Sequence, residues 1–386
     1  MLQKLKNLIK LFIKLIKMDK RRIILFYQSY SGSNAIALYK LMPDWAAEKY
    51  DIRLVRDVKP GPFKELIRYY LDLARCSLIV TTHGKRKVRD DQTEIELWHG
   101  FPLKAMGVMD RGLPQSEKDL TVKLMNQIDV FASYSQFYST LMAACCGIDG
   151  SRFEITGVPR NDLLFRRGRE ALQKVLEQDL AQDKIIFFMP TFRLGYENRE
   201  EGSKDWNNIF GFNEFNHDGF DNFLRENSLR IIAKLHPFEE AKMAAHMTQK
   251  ADSRIIFLQD GDLEKNNYDL YEVLGAADIL VTDYSSVYFD FLLLDRPLIF
   301  IPVDLNRYRG SRGLLLEPYE HWTPGPTALD QEVFAREILN SLQDNQYYSR
   351  ERNILRDIVH RHHDDQSALR IWELIDRMLD KRAESL

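Results

Sequence analysis

Ile279-Leu280-Val281-Thr282-Asp283-Tyr284-Ser285-Ser286-Val287-Tyr288-Phe289-Asp290-Phe291 passes from an apolar strand, through a polar turn, into a helical pattern. The first four residues suit a strand covered on both faces, and from Ser286 the apolar period lengthens to that of a helix. The same event recurs outward in both directions. Apolar runs predicted as buried strands lie at 23–27, 52–55, 78–82, 94–98, 130–133, 153–156, 185–189, 230–234, 254–258, 279–282 and 298–301. Helical patterns at 34–49, 135–146, 215–225 and 286–294 fall between many of them. Strand–helix alternation of this length predicts α/β architecture, with parallel sheets covered by helices on both faces. Two doubly wound domains are expected, at 23–165 and 183–345, joined through the charged stretch 161–182. Helices fill 346–386, and the tail from Gln331 onward is expected to fold back over the first domain.

Composition agrees with this division. The chain has 386 residues, 45% hydrophobic and 29% charged, which is globular and too long for one ordinary core. A net charge of −3 excludes nucleic-acid binding driven by bulk charge. Three cysteines, Cys76, Cys145 and Cys146, are too few for a disulfide framework. P-loop, zinc-ribbon and H-E-x-x-H patterns do not occur.

Charge is unevenly placed. Residues 1–22 carry eight cations against Asp19, a net of +7; the remainder, 46 cations against 56 acids, stands at −10. Lys6, Lys10, Lys14 and Lys17 share a polar arc of about 100° with Gln3 and Asn7, opposite a broad apolar arc. Uncharged runs reach only three residues, far short of a transmembrane span or a signal-peptide core. Two readings fit: a helix lying on an anionic membrane surface, which the free basic terminus favours, or one docked on protein.

Chemistry is expected at the carboxyl ends of the strands, in a cleft faced by loops of both sheets. Five segments begin there: 97–104 with His99 and Lys104, 156–162 with Arg160, 189–193 with Thr191 and Arg193, 234–237 with Lys234 and His236, and 281–286. Arg160, Arg193, Lys234 and Lys104 supply cations, and arginine's planar fork matches phosphate oxygens. Ser285 and Ser286 open a helix, where hydroxyls and unpaired N–H groups either receive an anion or simply cap the helix. His99 and His236 are acid–base or phosphate-contacting candidates, since histidine titrates near neutrality; each would otherwise be satisfied by neighbouring backbone. The run His360-Arg361-His362-His363-Asp364-Asp365 reads as a helix end followed by an Asp365 cap, rather than a metal site.

Taken in series, Trp98-His99-Gly100-Phe101-Pro102-Leu103-Lys104, Gly157-Val158-Pro159-Arg160, Lys234-Leu235-His236-Pro237 and Thr282 through Phe291 resemble the CDP-glycerol glycerophosphotransferase family, the teichoic acid primases and polymerases. Residues 304–313 and Pro324-Gly325-Pro326 continue the resemblance. It implies a glycosyltransferase-B-like fold, an acceptor-side first domain, a nucleotide-donor-binding second domain, and a peripheral position on the cytoplasmic face of the cell membrane. It implies transfer of glycerol phosphate from CDP-glycerol to a polyprenyl-diphosphate-linked saccharide, with CMP released. His99 matches the family's catalytic histidine and His236 one that contacts the donor. Arg160, Arg193 and Ser285/Ser286 would hold the diphosphate alongside Lys104, Thr191, Lys234 and Thr282. Asp283 and Asp290 would orient cationic partners or meet glycerol hydroxyls, and Glu272 would bind the ribose. Phe101 departs from the small polar residue usual in the family. The length resembles a primase; a CDP-ribitol enzyme, a capsule polyol-phosphate transferase or a sugar-nucleotide glycosyltransferase would present similar residues. No cofactor is called for by these motifs, and they do not decide whether a divalent metal is required.

Overall fold

The computed structural model describes residues 13, 15–57, 63–191, 193, 208–235, 253–311, 313–344 and 346–384. The chain divides into two units. The first comprises Met1–His99, Gln115–Leu163 and Arg361–Leu386; the second comprises Gly100–Pro114 and Leu164–His360. Among the described residues no helix is long and apolar enough to cross a membrane.

In the first unit, β1 (Asp19–Tyr27), β2 (Asp51–Arg56), β3 (Cys76–Thr81), β4 (Thr93–Glu96), β5 (Val130–Ser133) and β6 (Phe153–Ile155) form a sheet in the order β2-β1-β3-β4-β5-β6. Every pairing is parallel. Ile23 and Leu25 of β1 enter one hydrophobic cluster, whereas Ile24 and Phe26 enter another. Successive strand residues face opposite sides, so an unbroken apolar run is the signature of a sheet buried twice over.

The helix Ser367–Glu384 covers the first of these clusters, with Ala368, Ile371, Trp372 and Ile375 spaced along one face. Trp372 Nε1–H donates to the Leu38 carbonyl at 3.1 Å. Asp162 caps this helix by accepting from Ser367 N at 3.0 Å and Ala368 N at 2.7 Å. Burial raises the Asp162 carboxyl to about 6. The cap assigned to Asp365 therefore belongs to a residue two hundred positions away.

In the second unit, β7 (Lys184–Phe188), β8 (Leu229–Ala233), β9 (Ile255–Phe257), β10 (Ile279–Thr282) and β11 (Leu298–Phe300) form a five-stranded sheet in the order β11-β10-β7-β8-β9, again parallel throughout. Its core joins Ile186, Phe188, Ile231, Val281 and Ile299 to Phe210, Phe220 and Phe334.

The partition departs from the contiguous domains expected from sequence in three ways. Residues 100–114 join the second unit, where Lys104 bridges Leu314, Leu315 N–H donates to Leu103 O at 2.8 Å, and Ala105 N–H donates to Gly313 O at 3.3 Å. The stretch read as a linker contains the helix Gly168–Leu176, which packs tightly in the second unit. A Cβ on Gly168 would lie 2.4 Å from Ala276 N and 2.5 Å from the Gly275 carbonyl carbon, so only glycine permits that approach. Of the tail helices, Gln331–Gln343 and Ser349–Val359 stay with the second unit, and only Ser367–Glu384 belongs to the first. Pro43 also splits 34–49 into Asn34–Lys40 and Asp44–Lys49.

The basic N-terminal segment was expected to be helical to residue 22, but β1 begins at Asp19. Arg21 donates from Nε to Lys49 O at 2.7 Å, and Arg22 pairs with Asp51 at 2.8 Å. These two arginines thus serve the sheet. Lys6, Lys10 and Lys14 lie outside the described residues, and Lys17 is exposed just before β1.

Candidate functional site

In the first unit, the loops that leave β1, β3, β4 and β6 share one edge, because all strands run parallel. Asn34 gathers three of them: its Nδ2 donates to Trp98 O at 2.9 Å and Leu97 O at 3.3 Å, while its Oδ1 accepts from Arg160 N at 3.1 Å. The Arg160 Nη1 donates to the carbonyls of His99 at 2.9 Å and Gly32 at 3.3 Å. Arg160 thus sits against the His99 backbone, 6% exposed.

Two buried glutamates on β4 hold the adjoining turns. Glu96 accepts from Thr81 Oγ1 at 2.8 Å, Gly84 N at 2.6 Å and Trp98 N at 2.8 Å. Glu94 accepts from the backbone N–H groups of Arg86 and Lys87. Burial raises both carboxyls, that of Glu94 to about 7. Their oxygens point into backbone amides, so they act as clamps. The Glu96 clamp holds Trp98 at a φ of 55°, a conformation that costs a large side chain of order 1 kcal/mol.

His99 follows this strained residue and is exposed. Its Nδ1 lies 3.2 Å from the Thr82 carbonyl, which can only accept, so Nδ1 carries a proton and, in the neutral ring, Nε2 carries the lone pair. The ring stacks on His83 at 4.4 Å and 5°, and on Trp98 at 4.5 Å and 27°. His83 in turn meets Thr82 Oγ1 at 2.8 Å through Nδ1. Burial and the neighbouring His99 push His83 down to about 3, so it is neutral near pH 7.

The second unit presents its own cluster at the carboxyl ends of β7, β8, β10 and β11. Arg193 is its centre, 4% exposed. Nη2 donates to Asp283 at 2.8 Å and to Asp304 at 2.9 Å, Nε donates to Asp304 at 2.9 Å, and Nη1 donates to Thr191 O at 2.5 Å. The guanidinium lies over Tyr284, whose ring stacks on Tyr308 at 4.2 Å, and Lys104 Nζ stands 5.4 Å from the Tyr308 ring centre. Asp283 also accepts from Thr191 N at 2.7 Å and Tyr284 N at 2.5 Å. Arg193, read from sequence as a phosphate cation, here ties three loops together, and Asp283 orients it.

Several other candidates make contacts within the frame. Thr282 Oγ1 donates to Met189 O at 2.8 Å, fastening β10 to the end of β7. Asp290 is fully buried and accepts from Tyr271 OH at 2.6 Å. Glu272 completes a capping box with Asp269, accepting from its backbone N–H at 2.7 Å. Lys234, 5% exposed, donates to Leu235 O at 2.9 Å and pairs with Asp260 at 3.2 Å. Ser285 and Ser286 are half-buried, and Ser286 precedes the helix Val287–Phe291 without a side-chain capping bond. His236 lies outside the described residues. Phe101 packs on Phe289, ring centres 4.3 Å apart. Of the C-terminal histidines, His360 donates to Phe289 O at 2.7 Å and His362 to Ile155 O at 3.3 Å, both roles within the fold.

The structure adds Asn34, His83, Glu96 and Asp304 to the residues that shape these clusters. His83 carried a readable signal, since Thr82-His83-Gly84 repeats the strand-end His-Gly event of Trp98-His99-Gly100.

A sequence model of the CDP-glycerol:poly(glycerophosphate) glycerophosphotransferase family matches residues 15–377. The chain belongs to this family. It is therefore a transferase of the CDP-glycerol glycerophosphotransferase kind. The teichoic acid glycerol-phosphate primase of Bacillus subtilis is 27% identical over 307 residues, 78% of this chain and 72% of that one. The teichoic acid poly(ribitol-phosphate) polymerase of Bacillus spizizenii is 25% identical over 305 residues, covering 77% of this chain and 45% of the polymerase. Among solved structures, the wall teichoic acid polymerase TagF superposes with a TM-score of 0.75 at 21% identity, covering 99% of this chain and 96% of that one. That likeness establishes a shared fold with two parallel sheets, as the resemblance led one to expect.

Proposed function

We propose that this member of the glycerophosphotransferase family moves glycerol phosphate from CDP-glycerol to a hydroxyl of a polyprenyl-diphosphate-linked saccharide during teichoic acid synthesis. The acceptor oxygen forms a bond to the phosphorus bearing glycerol. The bond from that phosphorus to the bridging oxygen breaks, and the electron pair leaves with CMP. The observation that carries this reading is the contact between His99 Nδ1 and the Thr82 carbonyl. With Nδ1–H held by the Thr82 carbonyl, Nε2 is the atom that takes the acceptor's proton. Within the second unit Lys104, Lys234, Ser285 and Ser286 hold the diphosphate and His236 contacts the donor; Arg160, also read from sequence as a diphosphate cation, holds the His99 backbone in the first unit. Positioning and electrostatics carry most of the catalysis, because CMP is a competent leaving group. Arg193, Asp283, Thr191, Thr282 and Asp290 keep the donor loops in place, and Glu272 keeps its assignment to the ribose.

The reading is tested by incubating the full chain with CDP-glycerol, CDP-ribitol and common sugar nucleotides beside lipid-linked acceptors, followed by mass analysis. A phosphodiester-linked glycerol unit and CMP are expected. A glycosidic product from a sugar nucleotide would overturn the reading. The similarity to a ribitol-phosphate polymerase supports a second reading, with CDP-ribitol as donor, which the same assay separates.

We further propose a peripheral position on the cytoplasmic face of the membrane, with Lys6, Lys10, Lys14 and Lys17 on anionic head groups. Arg89 supports a fixed anchor point, since its Nη1 donates to Ile13 O at 3.1 Å and Ile16 O at 2.6 Å. Changing these four lysines to Glu is expected to abolish co-sedimentation with phosphatidylglycerol vesicles while sparing turnover on a water-soluble acceptor analogue. Unchanged sedimentation would refute the anchor.

A further inference from the structure

The His83 ring has no part in the reaction as written, yet it stacks on His99 more nearly parallel than Trp98 does. The two imidazoles are 5° from parallel with centres 4.4 Å apart. One residue serves both: the Thr82 carbonyl receives Nδ1–H of His99, and the Thr82 hydroxyl meets Nδ1 of His83. Thr82 is itself 3% exposed and directly follows β3, so both rings are referenced to the sheet. An exposed histidine on a loop would otherwise rotate about its side-chain bonds and exchange tautomers, which places a proton on Nε2 for part of the time.

We propose that His83 is a positioning residue for His99, a flat neutral surface that holds the His99 ring in the plane where Nδ1–H reaches Thr82 and Nε2 faces the acceptor. The inference rests on the reading of His99 as the base. A second effect follows from the stack. When Nε2 takes the acceptor proton, the resulting imidazolium lies against the face of an uncharged aromatic ring, an arrangement that favours a cation. A charged neighbour would do the opposite. The groups whose charges reach His83 are His99, Asp57 and Arg86, and Arg86 pairs with Asp57. Burial then keeps His83 in the form the stack requires.

His83→Ala and His83→Phe in the full chain test this. His83→Ala is expected to lower kcat for CMP release about 30-fold, with KM for CDP-glycerol within about twofold of the parent. His83→Phe restores a flat neutral ring and is expected to return kcat to within about threefold of the parent. Nitrogen-15 spectra of histidine-labelled protein supply a readout independent of turnover: His99 is expected as a single Nδ1–H tautomer in the parent and in His83→Phe, and as a mixture in His83→Ala. A kcat for His83→Ala within twofold of the parent, or an unchanged His99 tautomer, overturns the proposal. Should His83→Ala not fold, the His83→Phe and His83→Gln pair carries the comparison, with Gln expected to behave as Ala. Full turnover in His99→Ala would defeat the assignment of the base alone, because the spectra still report whether His83 holds the ring.

Discussion

His99→Ala is expected to lower CMP release from CDP-glycerol by about a thousandfold, within the range that a positioned general base contributes. Three observations make this loss chemical rather than structural. The side chain is exposed, so its removal leaves no cavity. The loop around it is held without the imidazole, by Glu96 accepting from Trp98 N and by Asn34 donating to Trp98 O. Arg160 grips the His99 carbonyl, which alanine retains. KM for the donor is expected to change little, since the lost interaction forms as the proton moves. Steady-state CMP release, with circular dichroism as the control for folding, decides the matter. Turnover within threefold of the parent would remove His99 from the chemistry.

Asp283→Ala is expected to destabilise the second unit by about 4 kcal/mol, the range found when one partner of a buried ion pair is removed. The carboxylate is 2% exposed and satisfies Arg193 Nη2 together with the N–H groups of Thr191 and Tyr284. Truncation strips one of two carboxylates from a buried guanidinium and leaves two backbone donors without their acceptor. Asp283→Asn keeps an oxygen for those donors but turns an NH2 toward the Arg193 guanidinium in place of the second carboxylate oxygen, so its loss is expected to be smaller than that of Asp283→Ala without vanishing. In Arg193→Met/Asp283→Asn/Asp304→Asn the penalties are expected to be less than additive, because no charge of the trio is left buried. A two-unit chain need not unfold in one step, so urea titrations should follow Trp322 fluorescence in variants lacking the other tryptophans. A loss under 1 kcal/mol for Asp283→Ala would show that Asp304 alone suffices for Arg193.

These two residues also mark what a reader of the chain alone can extract. Parallel α/β architecture was legible because both faces of each strand are buried, leaving apolar runs such as 23–26 and 279–282 with no polar alternation. The strand ends were legible for the same reason, and His99, Arg160 and Asp283 follow strands β4, β6 and β10. Whether a cation there is open or engaged was not legible: Arg193 finds Asp304 across 111 positions, and no local pattern announces it. Nor was the assignment of 100–114 to the second unit, which depends on pairing with residues 313–315. Asn34 was passed over because an asparagine at a helix start ordinarily reads as a cap, whereas its partners are loops 63 to 126 residues away.

The helix Ser367–Glu384 has a consequence for biogenesis. A nascent chain emerging from the ribosome would have all six strands of the first sheet well before residues 367–379, which seal one side of it. The second unit, which ends at His360, is therefore complete earlier than the first, inverting the usual amino-to-carboxyl order of maturation. Until Trp372 arrives, Ile23, Leu25, Leu78 and Val80 remain a sticky surface, and chaperone engagement during synthesis is expected to concentrate there.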